Sequence, residues 1–304
     1  MIVLNLPRYG GDLVQLAAMS STNRAQSAPA LLAVYVDGET KTGKGSASMA
    51  IAEALRSQGV HEYYDVAGDF YRRYVAQVRR KLGLGEADDL PTGNLLFKTA
   101  QALYDDGKVF EVDMTLGDLQ RPSISKSVSA LGELPIAQKA GSEWFLASVR
   151  QAQAASAEVL VLDGRNPRDR VQEVVGSEDS VRVVLDLYLT CDPTEAARRT
   201  LLAVMDIPTA QQLEAERAHI ADRRDRDRKR VDRPFLLPEA SVVFNPRTMK
   251  ATAIVQQSWV VQGDARLPVS IVLDNTRITK PEMLAAVTEL ATEAVVFAKL
   301  SPDA

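Results

Sequence analysis

The segment GETKTGKGS, residues 38–46, spaces glycines at 38, 43 and 45 around Lys44 and ends in the hydroxyl of Ser46. Loops of this spacing suit phosphate. Their backbone N–H groups, gathered at a helix N-terminus, face phosphate oxygens, and the helix dipole adds to the attraction. Lys44 supplies a point charge for the β- and γ-phosphates, and the Ser46 hydroxyl is a ligand for Mg²⁺. Gly38, Gly43, Lys44, Gly45 and Ser46 are therefore the expected contacts of a bound ATP. Glu39 and Lys41 are unusual side chains inside such a loop and are expected to be solvated.

Two further groups have types suited to phosphate chemistry. Asp163 and Arg165 close the apolar run at 158–164, and open α/β sheets place their ligands at the carboxyl ends of strands. Asp163 there either holds Mg²⁺ and its water, or a phosphate-binding arginine, or serves only as a turn residue before Gly164. The second group is ADRRDRDRKR, residues 221–230, where charges alternate in sign. It reads either as a solvated helix laced by pairs such as Asp222–Arg226 and Arg223–Asp227, or as a phosphate-binding surface. Arginine suits the latter because its planar fork grips phosphate through two N–H groups and stays charged. Nucleic acid is disfavoured as a partner, because the acidic residues cancel the basic ones.

The loop needs a strand before it and a helix after it. LLAVYVDG, residues 31–38, reads as a strand covered on both faces, as in a parallel sheet, and residues 46–56 read as an Ala-rich helix. Further strand-like runs lie at 62–66, 158–164, 181–190 and 269–276. Helical patterns lie between and after them at 70–82, 141–155, 193–205, 211–229 and 281–300. This alternation predicts an α/β fold with a doubly wound, parallel five-stranded sheet of the phosphate-loop NTPase type. Residues 12–19 form a possible helix, and 1–30 read as an N-terminal extension and linker before a domain at 31–304. Within that domain, 83–130 looks like an inserted subdomain and 240–262 like a β-hairpin insertion.

Composition excludes several classes. The chain has 304 residues and a formal net charge of −4, from 36 Lys and Arg against 40 Asp and Glu, so an anion site must be built locally. One cysteine and two distant histidines, His61 and His219, exclude a disulfide framework and a Cys/His zinc site. They also make a Ser-His or Cys-His nucleophile improbable. No run of 18 apolar residues is present, and the start MIVLNLPRYGG lacks the charge and apolar pattern of a secretion signal. A monomeric cytoplasmic protein that binds neither membrane nor nucleic acid is expected.

Several stretches, in order, resemble the nucleoside monophosphate kinases, and among them the bacterial cytidylate kinases. The glycine after the lysine (43–46) is one. YDVAGDFYRR at 64–73 is similar to the family's acceptor-lining segment, with Gly68, Tyr71 and Arg72 in place and one extra residue before the glycine. VLDGRN at 161–166 resembles a strand-terminal Asp-Gly-Arg-Asp, with Asn166 where the family has Asp. LTCDPTEAARR at 189–199, the Arg/Asp run at 221–230 and IVLDNTRIT at 271–279 are also similar. The resemblance covers about residues 31–298 and implies transfer of phosphate from ATP, with Mg²⁺, to a nucleoside monophosphate, CMP or dCMP first. It implies that Arg72 and Arg165 clamp the acceptor phosphate, that Asn166 sits by the base, and that Asp227 and Arg230 reach the acceptor sugar and phosphate. The resemblance also implies that Arg199 and Arg223 fall on the donor side beside Lys44 and Asp163, and that 199–230 is a lid. Tyr71 either packs along the acceptor or joins Phe70 and Tyr74 in the core. The remaining readings are a kinase for another small acceptor and a non-catalytic nucleotide-binding regulator.

Overall fold

A computed structural model of the chain describes residues 2–4, 30–110, 119, 121–175, 181–228, 240–245, 250–255 and 270–300. The possible helix at 12–19, the linker that follows it and Arg230 lie outside these residues.

The sheet is built on β2 (Leu31–Gly38), flanked by β4 (Val159–Asp163) and β5 (Val181–Thr190). Beyond β4 lies β3 (Glu62–Val66), and beyond β5 lies β8 (Ser270–Asp274). All of these pairings are parallel, so the five-stranded core has the order β3-β4-β2-β5-β8. The alternation of β2 explains why its run is apolar throughout. Leu31, Ala33 and Tyr35 face a cluster containing Phe70, Tyr74, Trp144 and Phe145. Leu32, Val34 and Val36 face another containing Ile51, Leu55, Val287 and Leu290. A strand with both faces in a core has no polar side to show.

The sheet does not end at β8. Strand β6 (Ala240–Asn245) pairs parallel with it, β7 (Lys250–Val255) pairs antiparallel with β6, and β1 (Ile2–Leu4) pairs antiparallel with β7. Among the described residues the sheet has eight strands. The two alternating runs around 240–262 thus extend the main sheet, and the first apolar residues of the chain close its edge.

Helix α1 (Lys44–Ser57) and α9 (Lys280–Leu300) cover one face. The other is covered by α2 (Ala67–Leu82), α3 (Asn94–Asp105), α4 (Pro122–Gly132) and α5 (Pro135–Ala154). Helix α5 starts six residues earlier than the apolar spacing alone predicts. Pro135 supplies the start, since its fixed φ and missing N–H suit a first helical turn. Helix α6 (Pro167–Val175) and α7 (Pro193–Leu202) begin the same way, and α8 (Ala210–Arg228) follows α7. The chain leaves β2 for β3 on one side and reaches β5 on the other, so the carboxyl end of β2 lies at the switch point where such sheets bind ligands.

Candidate active site

The loop between β2 and α1 owes its shape to two glycines and a ring of donors. Gly38 has φ +146°, and a Cβ there would run into the Leu189 carbonyl on β5, with the Leu189 nitrogen 2.7 Å away. Gly43, at φ 89°, is the left-handed residue that caps α1, and Lys41 is also left-handed at φ 63°. Lys44 Nζ donates to the carbonyls of Gly38 and Glu39, both at 2.8 Å. Arg165 donates to the Gly38 carbonyl at 2.8 Å, Arg224 to that of Thr40 at 3.1 Å, and Asn275 Nδ2 to that of Thr42 at 2.7 Å. In a trans peptide the C=O and the next N–H point opposite ways. Fixing these carbonyls therefore also fixes the N–H groups of Thr40, Lys41 and Gly43, each directed away from the donor on the carbonyl before it, and such backbone donors are what an anion-binding nest is made of.

Two carboxylates lie beneath the loop. Asp163, buried at the end of β4, is 3.4 Å from the donating Ser48 hydroxyl, and its Oδ2 is 3.6 Å from where a Gly45 Cβ would stand. Burial pushes its carboxyl up to about 6, against the pull of the Lys44 charge and with a push from Asp37. Asp37 accepts the Gly38 N–H at 2.6 Å and the Asn166 N–H at 2.9 Å, and burial raises its pKa too. Burial lowers the Lys44 ammonium to about 7, helped by the charges of Arg165 and Arg223 and opposed by Asp163 and Asp37. A raised, buried carboxylate pair beside crowded cations is relieved by a ligand carrying both signs. A polyphosphate with a divalent cation fits that description.

The expected site residues divide into those the structure brings together and those it does not. Gly38, Gly43, Lys44, Gly45, Asp163, Arg165, Arg223 and Asp227 meet around the loop. Asp227 Oδ2 accepts Arg165 Nη2 at 2.6 Å and lies 3.5 Å from the Thr40 hydroxyl. Ser46 stands in the first turn of α1, partly exposed. Asn166, left-handed at φ 48°, follows Arg165. Gly68 and Arg72 are in the first turns of α2. Arg72 pairs with Asp69 at 2.8 Å, and its charge reaches Asp163.

Arg199 is placed elsewhere. Its guanidinium binds Glu195 at 2.7 Å and the carbonyls of Asn275, Thr276 and Ile278 at 2.8, 3.2 and 2.9 Å. It ties α7 to the segment after β8. Tyr71 packs edge-on against Phe70 at 5.2 Å, and its buried hydroxyl would collide with a Cβ at Gly141 of α5. That close contact puts Tyr71 in the α2–α5 packing.

One expectation fails outright. Lys41 is exposed, but Glu39 is buried: it accepts Thr190 Oγ1 at 2.9 Å and pairs with buried Arg224 at 2.7 Å. Reading the sequence also passed over Asp37, Ser48 and Asn275, and took Arg224 only as one charge of the 221–230 run. Asp37 carries the same signal as Asp163, a carboxylate closing a buried strand. Arg224 lies four residues after Ile220, which is buried against Cys191, Ala196 and Ala197, so helical spacing alone turns it inward.

A family model described as cytidylate kinase matches residues 34–261. A cytidylate kinase from Salmonella arizonae (strain ATCC BAA-731 / CDC346-86 / RSK2980) is 24% identical over 230 residues, covering 74% of this chain and 92% of its own. A solved structure, that of a gluconokinase from Sinorhizobium meliloti 1021, is 14% identical over 88% of this chain and 93% of its own, with a TM-score of 0.30.

Proposed function

As a member of the cytidylate kinase family, this chain is a nucleoside monophosphate kinase, and we propose that it phosphorylates CMP or dCMP with Mg·ATP. The carrying observation is the β2–α1 loop, whose carbonyls are held by Lys44, Arg165, Arg224 and Asn275 so that its amides are fixed in direction before a ligand binds. Phosphoryl transfer asks the protein for positioning and charge rather than covalent chemistry. The loop amides and Lys44 bind the donor phosphates. Mg²⁺ on Ser46 and Asp163 would neutralise charge on the same phosphates.

Arg165 and Arg72 would bind the acceptor phosphate. Arg165 now binds Asp227 and two loop residues, and would exchange part of that set for the acceptor phosphate. Gly68 leaves room beside Arg72. Asn166, Asp227 and Arg230 would meet base, sugar and phosphate, and Arg223 adds charge on the donor side. Residues 83–130 form the acceptor-binding insertion, and the lid is drawn from 199–230.

The test is ADP formation from Mg·ATP across CMP, dCMP, UMP, AMP and dTMP. Formation depends on the acceptor and falls at least about a hundredfold in Lys44→Ala. ADP release indifferent to every acceptor contradicts the kinase reading. A preference for cytidine nucleotides below about tenfold in kcat/KM, roughly 1.4 kcal/mol, removes the cytidine assignment and leaves the kinase standing.

A further inference from the structure

Phosphoryl transfer does not by itself require a carboxylate at position 39 of the loop, and yet one is there, almost sealed from solvent. Glu39 and Arg224 are 8% and 4% exposed, and their charged atoms approach to 2.7 Å. The fork of Arg224 reaches three acceptors at once: the Glu39 carboxylate, the Thr40 carbonyl at 3.1 Å and the Cys191 carbonyl after β5 at 2.7 Å. One turn further along α8, Asp227 reaches Arg165 and Thr40.

We propose that Glu39 and Arg224 are positioning residues that fasten the last turns of α8 to the phosphate loop. Through them the loop amides and the Arg223 and Asp227 side chains are set in place before any nucleotide arrives. The inference rests on reading the loop as the ATP site. Burying two charges is costly, and an apolar pair of similar volume holds a fold together as well or better. What the charged pair supplies instead is direction. Holding the Thr40 carbonyl on the α8 side turns the Lys41 N–H to the other. A planar guanidinium does this for three acceptors in fixed geometry, and a lysine ammonium does not. A consequence is that the moving part of 199–230 ends before Ile220. Displacing the turn beyond it would break every Arg224 contact and strand a carboxylate in the interior.

The experiment compares the full chain with Glu39→Gln, Arg224→Met, Arg224→Lys and the double variant Glu39→Gln/Arg224→Met. Three quantities are measured: Tm, Kd for Mg·ATP by calorimetry without acceptor, and hydrogen exchange of residues 221–228 in the nucleotide-free protein. Arg224→Met loses stability because Glu39 stays buried without the guanidinium that lies 2.7 Å from its carboxylate. The double variant recovers the Tm but still binds Mg·ATP at least about tenfold more weakly, with exchange at 221–228 faster by a similar factor. Arg224→Lys, which keeps the charge without the fork, behaves like the double variant and decides the matter if Arg224→Met does not fold. A double variant with wild-type Kd and wild-type exchange overturns the proposal, as does wild-type behaviour in Arg224→Lys. A parent protein that binds Mg·ATP but phosphorylates no nucleoside monophosphate defeats the kinase reading and not this one. The exchange rates test the fastening even in a protein that binds no ATP.

Discussion

Lys44 stands among Asp37, Asp163, Arg165 and Arg223, and its protonation depends on all of them. With its ammonium lowered to about 7 by burial, the empty site at about pH 8 holds it mostly as the neutral amine. Phosphate oxygens arriving beside it favour the cation, so Mg·ATP binding at that pH takes up a proton. At about pH 5.5 the sign reverses, because Asp163, raised to about 6, is largely protonated and surrenders its proton to an arriving cation. Calorimetry in buffers of different ionisation enthalpy reads both signs; a binding enthalpy independent of buffer at about pH 8 contradicts the assignment of Lys44. At this scale the sequence was informative wherever a residue type is tied to a fixed spacing, as for Lys44, Gly38 and Gly43. It was misleading for Glu39. A loop pattern leaves that position open, and its burial depends on an arginine far along the chain.

Between elements, Arg199 does work that a motif does not disclose. From α7 it binds three carbonyls after β8, and there Asn275, with no exposed surface, holds the Thr42 carbonyl of the phosphate loop. Arg199→Ala is expected to cost about 2–3 kcal/mol in chemical denaturation, since charged hydrogen bonds to partly buried carbonyls are lost together. Because the loop loses a support but no catalytic group, KM for ATP rises more than kcat falls. Unchanged stability in this variant contradicts the tether. The paired arginines at 198–199 were legible as a feature of that helix, but which partner each takes is a property of tertiary structure. Helices α3 and α4 escaped notice for a different reason. They are short, at 12 and 11 residues, and sit among turn signals that mask their apolar spacing.

Across the whole molecule, the five parallel strands were legible because burial on both faces leaves them continuously apolar. Their extension by β6, β7 and β1 was not, since pairing partners at a sheet edge leave no mark in composition. If the insertion at 83–130 and the lid close over the loop to exclude water, the radius of gyration in solution scattering falls when Mg·ATP analogue and CMP bind together. It changes less with either alone, and a radius unaffected by the pair rules closure out. The edge itself has a history. Val3 lies opposite Thr252, so a strand made before the rest of the sheet must wait for a partner made long after it. At about 5–20 residues per second of synthesis, Ile2–Leu4 waits some 12–50 s for β7 to emerge. Through that interval β2 to β5 emerge with this nascent segment still undocked, and β8, which joins them to β6, follows later still.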